Sequence, residues 1–114
     1  MYKQGEIVLI PVPFSDLTKR KQRPVLIISN NRYNSLTEDI VVVAITSQLK
    51  DLDYSVIIES KDLSTGILKV TSAVKADKIY TLSKQIIVKK FGQVNPDVLE
   101  EIRKKIKALI NNLK

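Results

Sequence analysis

Six short runs of β-branched and aliphatic residues dominate the chain: Ile7–Ile10, Val25–Ile28, Ile40–Ile45, Val56–Ile58, Val70–Val74 and Ile86–Val88. Each has the length of a strand and is bounded by charged residues or turn formers. No stretch between them carries a helical repeat, so the crossover helices of a parallel α/β fold are not expected. The pattern predicts an antiparallel sheet or a small barrel. Pro11 and Pro13 lack the N–H that a ladder uses, so the first strand sits at an edge or finishes there. Asn30-Asn31 is read as the turn that closes the second strand, and Ser64-Thr65-Gly66 as a further turn.

The C-terminal segment follows a different rule. Asn95-Pro96-Asp97 combines a capping side chain, a proline at the first helical position and an acidic first turn. Val98, Leu99, Ile102, Ile106, Leu109, Ile110 and Leu113 then recur at helical spacing. Glu100 and Glu101 come early and Arg103, Lys104, Lys105 and Lys107 come later, which suits the helix dipole. The basic face can meet RNA, although a solvated face is the commoner reason for such a pattern. The whole is predicted to be a mainly β fold, a small sheet-dominated barrel closed by one C-terminal helix, with one domain spanning residues 1–114.

Composition narrows the chemistry. The 114 residues include no cysteine and no histidine, so disulfides, thiolate metal sites and histidine acid–base catalysis are excluded within the chain. Acid–base work falls to Arg, Lys, Asp, Glu, Ser, Thr or Tyr. No acidic cluster near the candidate sites suggests a carboxylate-bound magnesium ion, and no metal or cofactor is expected. A net charge of +7 favours an anionic partner such as nucleic acid, or serves only solubility. No apolar run approaches the length of a membrane span, and a protein of the cytoplasm, not of the membrane, is expected.

Three places can carry chemistry. Arg23 precedes Pro24, which disfavours helical backbone at Arg23 and holds it extended at the mouth of a strand. Its planar fork fits phosphate oxygens, and Lys19, Arg20 and Lys21 precede it. A structural ion pair is the alternative role. Thr46-Ser47-Gln48 ends the apolar run Ile40–Ile45 in two hydroxyls and an amide, which either line a site or cap a turn. Lys75 and Asp77 lie two residues apart, so strand alternation puts them on one face, as a surface pair or as a base beside a stabilising charge.

In order along the chain, three pieces resemble the MazF/PemK toxin family. The first is Gly5-Glu6-Ile7-Val8-Leu9 with Pro13-Phe14-Ser15-Asp16-Leu17 and Arg23-Pro24-Val25-Leu26. The second is Ala44-Ile45-Thr46-Ser47-Gln48, and the third is Val74-Lys75-Ala76-Asp77-Lys78-Ile79 with Thr81-Leu82. The terminal helix falls where the family has one, so the likeness covers nearly the whole chain.

The resemblance implies an SH3-like β-barrel that acts as a homodimer. It implies a sequence-specific endoribonuclease that cuts single-stranded RNA, often mRNA, and is neutralised by a cognate antitoxin. The cut would leave a 2′,3′-cyclic phosphate and a 5′-hydroxyl without a metal. Carried onto this sequence, Arg23 matches the catalytic arginine, Thr46 the catalytic hydroxyl with Ser47 beside it, and Asp77 an acidic position that some members use as base. RNA contacts are expected from Phe14, Lys19, Arg20, Lys21, Gln48 and Lys75, with bases met by the loops at Phe14–Lys21 and Leu49–Tyr54. The chain departs from well-described members in having Lys75 where they have arginine, and no histidine in the first loop. A member that binds RNA or protein without cutting is the alternative. A gyrase-poisoning toxin of the CcdB type is disfavoured, because the chain has no tryptophan for its C-terminal tail.

Overall fold

The structure, a computed structural model, describes residues 1–11 and 21–112. Among them seven strands form one sheet: β1 (Glu6–Pro11), β2 (Gln22–Ile27), β3 (Asp39–Thr46), β4 (Ser55–Ile58), β5 (Leu63–Thr65), β6 (Ser72–Ser83) and β7 (Lys89–Val94). The spatial order is β4-β6-β3-β2-β1-β7-β5, and every neighbouring pair is antiparallel. Two α-helices accompany the sheet among the described residues, α1 (Asn31–Leu36) and α2 (Pro96–Ile110). The edge strands β4 and β5 are consecutive in sequence, joined through a single 3-10 turn at Ser60–Asp62. The sheet therefore curls back on itself into a half-barrel, the mainly β architecture that the apolar runs predict.

The strands are apolar on both faces because both faces are covered. Ile7, Leu26, Val43, Ile45 and Val74 turn inward and pack with Val98 and Ile102 of α2. Their neighbours along the same strands, Val8, Val25, Ile27, Ile40 and Val42, form a second cluster on the outer face, against which Tyr2, Ile10, Leu82 and Ile87 pack. Continuous apolar runs, rather than alternation, are the expected signature of strands buried on two sides. Helix α2 starts as its sequence requires: the Asn95 side chain accepts from the Val98 N–H at 3.0 Å and Pro96 is the first helical residue. β1 lies inside the sheet and ends at Pro11, so the proline terminates the strand rather than marking an edge.

Four local expectations are corrected. Asn30-Asn31 does not simply turn the chain: the Asn30 side chain accepts from the Tyr33 N–H at 2.8 Å and caps α1. That helix has only six residues, too few to display a helical repeat. The run Ile86–Val88 is not a strand. Ser83 caps a 3-10 turn at Lys84–Ile86, with Gln85 N–H donating to its hydroxyl at 3.2 Å, and β7 begins at Lys89. Ser64-Thr65 belongs to β5, a strand rather than a turn, because Gly66 and Gly92 let it approach β7. A Cβ at Gly92 would stand 2.6 Å from the Thr65 carbonyl oxygen. The last apolar strand begins at Ser72, not Val70, and runs through the polar stretch to Ser83.

Candidate active site

Three strands that meet at one end of the sheet position the candidate residues. β2 pairs with β3 through Val25↔Ala44, Leu26↔Val43 and Ile27↔Val42, and the pairing stops there. Continued by two residues past its last pair, this register would set Arg23 opposite Thr46, and strand alternation puts them on the face of Val25 and Ala44. That is the outer face, and the apolar cluster of Val8, Val25 and Ile27 forms its floor. Beyond the last pair the strands carry no ladder, so Arg23 and Thr46 stand on the two lips of an open strand end. On its far side Arg23 pairs with Ile10 of β1. The rigid sheet thus supplies the footing that the Arg23-Pro24 dipeptide suggests.

Arg23 is exposed, and among the described residues it makes no ion pair. Thr46 is half-buried at the last position of β3, opposite Ala73. Its hydroxyl oxygen accepts from the Gln48 N–H at 3.1 Å, an arrangement that caps the turn and leaves the hydroxyl proton to donate. Ser47 and Gln48 are both exposed just past the strand. Lys21 is exposed immediately before β2. Phe14, Lys19 and Arg20 lie outside the described residues.

Val74 and Ala76 both join the inner cluster, so Lys75 and Asp77 alternate with them onto the outer face. The β3–β6 register jumps from Ala44↔Lys75 to Val43↔Ile79, so the three residues Ala76, Asp77 and Lys78 are left out of the ladder. Asp77 is partly buried; its Oδ1 is shielded from solvent with no hydrogen-bond partner among the described residues, and its Oδ2 lies 4.0 Å from Lys78 Nζ. Lys75 is only 9% exposed, and its ammonium donates to the backbone carbonyl of Asp51 in the β3–β4 connection. The lysine is thus engaged with a loop rather than with Asp77. A lone cation between buried Ala73, Val74 and Ala76 is the signal in the sequence: a charge in an apolar run has a partner, but only the fold shows which.

Two of the basic residues of α2 pair with glutamates one turn earlier on the same helix. Arg103 pairs with Glu100 at 3.2 Å and Lys104 with Glu101 at 3.5 Å, and Arg103 also donates to Gln4 at 3.1 Å. Two open hollows of about 350 and 340 Å³ lie on the surface, one bordered by Glu59, Lys61 and Lys69, the other by Gln4, Asn30 and Tyr33; none of the candidate residues lines either. Among the described residues no group of three or more Asp or Glu side chains is placed to hold a metal ion. No described helix is long and apolar enough to cross a membrane.

Comparison with known proteins gives this arrangement a context. An endoribonuclease from a mycobacterial species, solved with its cognate antitoxin, superposes with a TM-score of 0.80 at 25% identity, over 100% of both chains. A second mycobacterial endoribonuclease gives 0.74 at 27% identity, over 94% of this chain and 88% of that one. The MazE–MazF assembly of Deinococcus radiodurans gives 0.77 at 24% identity, over 96% and 95%, a likeness of fold. No curated protein matches in sequence. Residues 3–110 match the family described as the PemK-like, MazF-like toxin of type II toxin–antitoxin systems, and the chain belongs to that family.

Proposed function

We propose that the chain is an endoribonuclease toxin that cuts single-stranded RNA at selected sequences, without a metal, and that a cognate antitoxin restrains it. The single observation that carries this reading is that the β2–β3 ladder ends just short of Arg23 and Thr46, which leaves an exposed guanidinium and a hydroxyl at the two open strand ends. Family membership supports the reaction class, and the mycobacterial relatives are endoribonucleases, one of them bound to its antitoxin.

The chemistry is a transfer within the RNA. The 2′-oxygen attacks the adjacent phosphorus, and the phosphorus bond to the 5′-oxygen breaks. The products are a 2′,3′-cyclic phosphate and a 5′-hydroxyl. Asp77 takes the proton from the 2′-hydroxyl on Oδ2, because its Oδ1 is shielded from solvent while the side chain as a whole is 30% exposed. The Arg23 fork carries the extra charge of the phosphorane and bonds the departing oxygen, which gains its proton from solvent. Thr46 donates its hydroxyl proton to a non-bridging oxygen, with Ser47 beside it as a second donor. Lys21 and Gln48 flank the same lip and guide the backbone. The active species is a homodimer working in the cytoplasm, where mRNA is available.

Incubation of a long single-stranded RNA with the purified protein in EDTA, beside an Arg23→Ala protein, tests this reading. Discrete cuts ending in cyclic phosphate, made by the parent and not by the variant, are expected. No cutting by a folded parent refutes the nuclease and leaves a family member that acts by binding. Light scattering tests the dimer, which a monomer mass at all concentrations would overturn.

A further inference from the structure

The β3–β4 connection, residues 47–54, leaves the site directly after Thr46 and returns at Ser55. It displays three large exposed side chains, Leu49, Leu52 and Tyr54. Two of its residues that are not glycine hold left-handed backbone, Asp51 at φ 50° and Tyr54 at φ 57°. Such conformations persist only when the surroundings impose them. β6 supplies what imposes them here. The Lys75 ammonium donates to the Asp51 carbonyl, and the Ala76 N–H donates to the Tyr54 carbonyl at 2.9 Å. Ser55 N–H closes the turn on the Leu52 carbonyl at 3.1 Å.

Lys75 cannot serve two masters at once. Its side chain is nearly withdrawn from solvent, and its charge is directed at a backbone oxygen of the loop. A phosphate contact from Lys75 would release that oxygen and the loop with it. Meanwhile the loop offers an aromatic ring and two aliphatic side chains within one strand end of Thr46. Unpaired bases stack on surfaces of this kind.

We propose that Lys75 is a positioning residue that clamps the β3–β4 loop in one conformation, and that the exposed side chains Leu49, Leu52 and Tyr54 of the clamped loop select the nucleotides that flank the scissile phosphate. The inference rests on the endoribonuclease reading for its second half only. The clamp itself is independent of any activity.

Two variants and three readouts test it. In Lys75→Met the stem is kept and the donor is lost; in Lys75→Arg the charge is kept and a wider fork takes the place of the buried ammonium at the Asp51 carbonyl. Hydrogen exchange of the amides of residues 49–54 is expected to quicken at least tenfold in Lys75→Met, while Val25 and Val43 amides keep their protection. The positions of cuts on one long RNA are expected to change in both variants, with Tyr54→Ala changing them in the same direction. The salt dependence of RNA binding by Lys75→Met is expected to equal that of the parent.

A direct phosphate contact by Lys75 gives the opposite pattern. Cut positions stay fixed, Lys75→Arg retains full affinity, and the salt slope of Lys75→Met falls by about 0.7, the value for one single-strand phosphate. That result overturns the proposal, as does unchanged loop exchange in Lys75→Met. Should Lys75→Met fail to fold, Lys75→Arg with the parent cut pattern overturns it equally. If the parent cuts no RNA, the selection role falls with the nuclease reading, while quickened exchange still upholds the clamp.

Discussion

Removing the Ile102 side chain measures how much the terminal helix contributes to closing the half-barrel. Ile102 is 1% exposed on α2 and packs against the inner cluster with Val98. Ile102→Ala deletes three carbons, and at about 0.8 kcal/mol per buried methylene the lost transfer term is about 2.4 kcal/mol. Incomplete collapse of the vacated space adds about 1–1.5 kcal/mol. The better helix propensity of alanine returns about 0.4 kcal/mol. The expected loss is about 3 kcal/mol, within the measured span for such truncations. With an unfolding entropy of about 2.1 cal/mol/K per residue, that lowers Tm by about 12 °C for a chain of this length.

Urea unfolding gives the loss directly, as a lower midpoint at an unchanged slope. Ile110→Ala is the control: the side chain is 77% exposed on the same helix, and a change within about 0.5 kcal/mol is expected. The Arg23–Thr46 lip lies on the outer face, away from α2, so RNA binding by the folded fraction should be the same in both variants. A loss below about 1 kcal/mol for Ile102→Ala, indistinguishable from the control, would show that α2 does not seal the inner core and would refute this packing.

Other substitutions probe different parts of the same structure. Arg23→Lys keeps the charge and loses the bidentate fork, so RNA cleavage should fall by about 10²-fold or more; parent-like rates would remove Arg23 from the site. Thr46→Ala should lower kcat by about 10²-fold while Thr46→Ser retains most of it, because the hydroxyl proton and not the methyl group is used. Asn34→Ala takes the donors from the Tyr2 and Ser29 carbonyls, which it now bonds at 3.2 and 3.0 Å; urea unfolding should show a loss of about 2–4 kcal/mol. Gly92→Ala forces a Cβ to 2.6 Å from the Thr65 carbonyl, where both sides are backbone, so a loss of about 1–3 kcal/mol is expected in thermal melts.

Much of this protein is local physics, and that part is written in the sequence. The apolar runs announce strands because buried β-branched side chains have few other uses, and Asn95-Pro96-Asp97 announces α2 because a cap, a preset φ and a dipole act within one turn. Pro24 holds Arg23 extended through a clash between adjacent residues, so the exposed guanidinium at a strand mouth was equally legible. Other features depend on what stands across the chain. Asn30 caps a helix rather than closing a turn because Ser29 and Tyr2 are there to receive Asn34. β5 exists because two glycines from distant segments let backbones meet.

The candidate site divides along the same line. Residue types and their order belong to the sequence, but the β2–β3 register that ends just short of Arg23 and Thr46 is set by packing across the whole sheet. Strand alternation puts Lys75 and Asp77 on one face, as Val74 and Ala76 in the inner cluster require, but the skip of Ala76–Lys78 in the β3–β6 ladder is a displacement that no local propensity encodes. Burial then bound the Lys75 ammonium to the nearest carbonyl, since a cation withdrawn from water must find an acceptor, and tertiary structure alone placed Asp51 within reach.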